Sequence, residues 1–91
     1  MPFDSVDFVL SSETRFRIIS YLSKDACTPT QLAKEIQKHL SHISRALREL
    51  ESRDLVVCQA PRNTKPRLYY LTAEGDRLAR ETRFRMHIAM R

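Results

Sequence analysis

Ile43, Ala46, Leu47 and Leu50 stand at i, i+3, i+4 and i+7 in a segment otherwise built from Ser, His, Arg and Glu. That spacing lines one face of an α-helix from about Leu40 to Arg53 and leaves the opposite face polar. A second helix must begin a few residues upstream. Thr28 is an N-cap residue, Pro29 suits the first helical position, and Gln31 completes a capping box three residues on. Leu32, Ala33 and Ile36 form its inner face before the pattern breaks around Gln37 and Lys38. Two short helices joined by so brief a turn make a helix-turn-helix over about 29–53.

The pattern changes after Asp54. Leu55-Val56-Val57-Cys58-Gln59 is apolar and β-branched, and Leu68-Tyr69-Tyr70-Leu71 is rich in aromatics, so both segments read as strands. The polar segment Pro61-Arg62-Asn63-Thr64-Lys65-Pro66-Arg67 joins them as a hairpin loop. Thr72 then caps a last helix running from Ala73 towards Arg91. Upstream, Asp4 to Leu10 reads as a short helix without a clean period. Ser12 caps a further helix in which Phe16, Ile18, Ile19, Tyr21 and Leu22 form a buried stripe ending near Lys24. The expected fold is mainly α with a small antiparallel β-wing, a winged helix-turn-helix. It forms a single domain over 1–91, with the wing at about 55–71 and a C-terminal dimerisation helix at about 73–91.

A chain of 91 residues buries only a modest core, so it needs tight helix packing, a staple or a second copy. Cys27 and Cys58 fit no CxxC pattern and are too few for a disulfide-rich secreted scaffold. Leu78, Ala79, Phe84, Met86, Ile88, Ala89 and Met90 fall on more than one side of the last helix, more than a lone domain this small can cover. A homodimer through the N- and C-terminal helices is therefore expected. No signal segment is visible, and no apolar run approaches the ~20 residues of a membrane helix. A cytoplasmic protein with reduced thiols follows from that pattern.

The formal net charge is +5, and its distribution matters more than its size. Residues 29–67 carry eight Lys/Arg against four Asp/Glu, a net of +4, whereas residues 1–28 carry three against four, a net of −1. The excess coincides with the helix-turn-helix and the hairpin. With Leu47 at the centre of the buried side, Lys38, Ser41, His42, Arg45, Glu49 and Ser52 point away from it. Hydroxyl, imidazole and guanidinium groups near a helix N-terminus are what reading a DNA major groove requires. Arg45 can bond both O6 and N7 of guanine, and Ser41 and His42 can reach bases or phosphate. Ser44 belongs to the same contact set, and Arg48, to the side of this face, suits a phosphate. On the hairpin, Arg62 and Lys65 can lie along the backbone or enter the minor groove, with Arg67 evenly balanced between contact and structure. Two blander readings stand beside these. Glu49 can pair with Arg45 or Arg53 at helical spacing on a solvated face, and the hairpin charges can serve solubility alone.

Other chemistry finds little support. Gly75 is the only glycine, so there is no phosphate-cradling loop, and no nucleophile stands with a base; an enzyme is not expected. His39 and His42, three apart, lack a third metal ligand and read as polar surface residues, so neither metal nor cofactor is expected. Cys27 and Cys58 would approach each other if 26–28 formed a strand beside the wing. They read first as small buried hydrophobes and second as a redox pair.

The segments Leu32–Ile36 and Ser41–Glu51, Leu55-Val56-Val57 after them, and Arg67–Gly75 with its Leu68-Tyr69-Tyr70-Leu71-Thr72 run resemble the ArsR/MarR-like winged-helix regulators, especially the small archaeal ones. The resemblance covers roughly residues 12–82. It implies that the helix from Leu40 is a recognition helix, that the first and last helices form a dimer interface, and that the partner is double-stranded DNA. Asp54 replaces a glycine that often ends the recognition helix; aspartate tolerates the left-handed conformation such an end needs. Pro66 replaces a glycine common near the wing, which would stiffen the hairpin or change its aim. A winged helix that docks on a protein in a transcription assembly remains the alternative.

Overall fold

The computed structural model describes residues 5–59 and 67–89, with side chains as far as Arg83. In chain order the elements are α1 (Ser5–Leu10), α2 (Glu13–Leu22), α3 (Pro29–Ile36), α4 (Leu40–Ser52), β1 (Val56–Cys58), β2 (Tyr69–Leu71) and α5 (Ala73–Ala89). This is the mainly helical winged helix-turn-helix that the patterning implies.

Local chemistry sets most helix starts. The Ser12 side chain accepts a hydrogen bond from the Arg15 N–H at 3.2 Å and opens α2. Both halves of the capping box form at α3: the Gln31 N–H donates to Thr28 Oγ1 at 3.1 Å, and the Thr28 N–H donates to Gln31 Oε1 at 2.8 Å. At α5, Thr72 Oγ1 accepts from the Gly75 N–H at 3.0 Å.

The end of α4 is equally local in origin. Asp54 takes a φ of 61°. Its N–H bonds the Glu51 carbonyl at 2.9 Å, and the Leu55 N–H bonds the Leu50 carbonyl at 3.0 Å. These are the two reversed bonds of a Schellman motif, with buried Leu50 and Leu55 supplying its apolar contact. Asp54 carries a Cβ in a conformation that glycine adopts freely. Asp54→Gly is therefore expected to raise stability by about 0.5–1 kcal/mol, measured as a higher denaturant midpoint at unchanged slope.

The core draws on every element. Ile18, Ile19, Leu32, Ile43, Leu47, Leu50, Leu55 and Leu78 are essentially sealed from solvent, with Val6, Val9, Val56 and Tyr69 around them. α4 packs on α2 and α3, while α5 packs across α1, α2 and β2. The α4 stripe is thus spent inward, which fixes the rotation of the helix and turns its polar residues outward. Short α1 hides its period because only Val6 and Val9 of its six residues are buried.

β1 and β2 pair antiparallel, Val56 with Leu71, Val57 with Tyr70 and Cys58 with Tyr69. Cys27 bridges the free edge of β2, exchanging backbone hydrogen bonds with Tyr69 at 2.8 and 3.0 Å. Residues 26–28 thus contribute a single bridge to the wing rather than a strand. Because Tyr69 lies between the two cysteines, their Cα atoms stand two strand spacings apart, about 10 Å. A disulfide spans at most ~6.8 Å. The pair therefore cannot close without moving the wing, and neither cysteine is in a disulfide. Burial raises the Cys27 thiol above its ordinary pKa, and the carboxylates of Asp25 and Glu35 push it the same way.

Candidate nucleic-acid interface

α4 presents Ser41, His42, Arg45 and Arg48 to solvent, with Lys38 exposed in the turn before it. Ser44 is half-buried, at the margin of the same surface. Arg62 and Lys65 lie outside the described residues. The N-terminal end of α4 is chemically open: its N-cap is His39, whose side chain makes no capping bond. The His39 and His42 rings meet edge to face at a centroid distance of 5.8 Å. Among the described residues no group of three or more His, Cys, Asp or Glu is placed to hold a metal ion.

The two helical ion pairs open to Glu49 do not form. Its Oε1 is instead held by Nε of Arg15, from α2, at 3.1 Å. Arg53 lies over the Phe8 ring, its guanidinium carbon 4.1 Å from the centroid. Arg45 makes no hydrogen bond or ion pair with another described residue, so its guanidinium is uncommitted. It forms one wall of an open cleft of about 330 Å³ with His42, Ala46 and Glu49, faced by Ser12 and Thr14 at the start of α2. Ser12, Thr14 and Arg15 had no place in the sequence reading of the site. Nothing local announces them, because α2 meets α4 only through the tertiary fold.

Arg67, left evenly balanced by the sequence, is tied into the base of the wing. It donates to the Tyr69 hydroxyl at 2.9 Å. Its pKa is raised, first by a hydrogen bond to the Cys58 side chain and then by Tyr69. Two large apolar side chains are well exposed among the described residues, Leu40 at the first turn of α4 and Tyr70 on β2.

A family profile described as the HVO_A0261 N-terminal domain matches residues 3–90. The chain belongs to this family. No match was found among curated proteins. Among solved structures, the chain is similar to a mutant of Lactococcus lactis ZitR, with a TM-score of 0.77 and 19% identity over 87% of this chain and 55% of that one. It is also similar to the adhesin competence repressor AdcR of Streptococcus pyogenes, with a TM-score of 0.74 and 21% identity over 87% and 60%. A mutant of MepR from S. aureus gives 0.76 and 21% over 94% and 69%. At such identities the likeness is one of fold. The chain spans little more than half the length of ZitR and AdcR. No described helix is long and apolar enough to cross a membrane.

Proposed function

We propose that this chain is a sequence-selective duplex-DNA-binding regulator of transcription, a homodimeric repressor of the ArsR/MarR-like type working in the cytoplasm. The observation that carries the reading is the uncommitted Arg45 guanidinium between Ser41 and His42, on the outward face of a helix whose apolar stripe is fully buried. Laid in a major groove, that face puts Arg45 against base edges, with Lys38 and Arg48 against flanking phosphates. Arg62 and Lys65 then follow the backbone or the minor groove. Kinship of fold with a protein named as a repressor supports the regulatory role. In the dimer, joined through α1 and α5, two recognition helices stand about one DNA turn apart, ~34 Å, and read a pseudo-palindrome.

A docking role on a protein would call for contiguous apolar surface. The exposed Leu40 and Tyr70 lie on different elements, one on α4 and one in the wing. DNA is the better fit.

The test is fluorescence-anisotropy titration of a duplex selected from a random pool, against random DNA, at two salt concentrations. Arg45→Ala should cost roughly 1–3 kcal/mol on the selected site and relax preference at one base position. Equal loss on both DNAs would demote Arg45 to a phosphate contact. Failure of the wild-type chain to enrich any sequence would remove the reading itself.

A further inference from the structure

Arg15 is anchored before it meets Glu49. Its Nη1 donates to the Phe8 carbonyl at 2.9 Å and to Ser11 Oγ at 3.1 Å. Its guanidinium carbon sits 4.0 Å above the Phe8 ring, and the side chain is 18% exposed. Its Nε donates to Glu49 Oε1, at 3.1 Å. Glu49 stands four residues after Arg45 on the same outward face, the spacing at which arginine and glutamate pair along a helix.

From this geometry, and resting on the DNA-reading proposal, we infer that Arg15 is a positioning residue that holds Glu49 away from Arg45 and so keeps the Arg45 fork open for a base. Arg15 wins the carboxylate because its side chain is already ordered by Phe8 and Ser11. The exposed Arg45 would have to give up rotamer freedom to compete. The contest matters because a carboxylate and the O6/N7 edge of guanine ask for the same pair of parallel N–H donors. Arg15 also neutralises an acid that would otherwise face the phosphates from the middle of the reading surface. Phe8 extends the hold into α1: its carbonyl and ring brace Arg15 while the same ring carries Arg53 from the end of α4.

The experiment compares Arg15→Ala, Glu49→Gln and the double variant with wild type on the selected duplex and on random DNA, with circular dichroism confirming that each is folded. Arg15→Ala should weaken operator binding about three- to tenfold, combining an exposed helix pair to break with an unneutralised carboxylate beside the phosphates. The loss should fall mainly on the base position that Arg45→Ala relaxes. Adding Glu49→Gln should restore affinity to within about twofold of Glu49→Gln alone, because the amide neither captures Arg45 nor repels phosphate. If Arg15→Ala does not fold, Arg15→Gln, which retains a donor for the Phe8 carbonyl, takes its place. An Arg15 variant that is folded and binds like wild type overturns the inference. So does a loss that Glu49→Gln leaves unrepaired, which would make Arg15 a brace of the fold. Wild-type protein that prefers no sequence removes the DNA reading first, and the role of Arg15 with it.

Discussion

Gly75→Ala should lower stability by about 3 kcal/mol or more, although the same exchange in most helices is stabilising. Gly75 is buried in the first turn of α5. A Cβ added there would run into the backbone carbonyl of Leu55, whose carbon it would meet at 3.0 Å, and would press on Leu71 Cδ2 at 3.3 Å. Neither backbone carbonyl nor helix can yield freely. The Thr72 N–H donates to that same Leu55 carbonyl at 3.1 Å, and Thr72 Oγ1 donates to the Asp54 carbonyl at 2.6 Å. Moving α5 outward breaks these bonds at about 0.5–1.5 kcal/mol each and opens the Schellman end of α4 beneath. Against a total stability of roughly 5–14 kcal/mol for a chain of this length, the loss is large. Thermal unfolding should shift down by about 12 °C or more. A variant melting at or above the wild-type temperature would show that the junction of α4, β1 and α5 relaxes at little cost.

Gly75 also marks where reading the sequence stops. That it is the chain's only glycine is visible at once, but its purpose is a contact with Leu55, twenty residues earlier, that no local pattern encodes. The elements that were legible depend on near neighbours. Thr28 and Gln31 cap each other across three residues, and the α4 stripe follows helical periodicity; the left-handed end at Asp54, which the family resemblance implied, is completed by Glu51, Leu50 and Leu55. Gln37, also left-handed with a φ of 64°, escaped because glutamine carries no preference for that conformation. Glu49 shows the same limit within the candidate site. Its near partners Arg45 and Arg53 were both open to it at helical spacing, yet it pairs with Arg15, thirty-four residues away. Arg67 could be placed only once the hairpin set it beside Tyr69 and Cys58. Local rules fixed which residues α4 turns outward; tertiary packing decided which of those stay uncommitted.

Leu47→Ala should cost about 2–5 kcal/mol, the combined price of lost apolar transfer and an unfilled cavity. Leu47 is 1% exposed at the centre of the α4 stripe, between Ile43 and Leu50, where the helix meets α2 and α3. Its neighbour Arg48 is exposed, and Arg48→Ala should change stability by no more than ~0.5 kcal/mol. The two variants therefore separate two properties of one helix. Leu47→Ala lowers the denaturant midpoint yet leaves Ser41, His42 and Arg45 on their face, so the molecules that remain folded should rank DNA sequences as the wild type does. Saturating DNA should recover part of the lost melting temperature, because it binds only the folded state. Arg48→Ala should leave melting alone and weaken binding to all duplexes alike, with a shallower salt dependence. Should Leu47→Ala keep its stability but change its sequence preference, the outward face would be set by something other than the buried stripe, and the geometry on which the DNA reading depends would have to be redrawn.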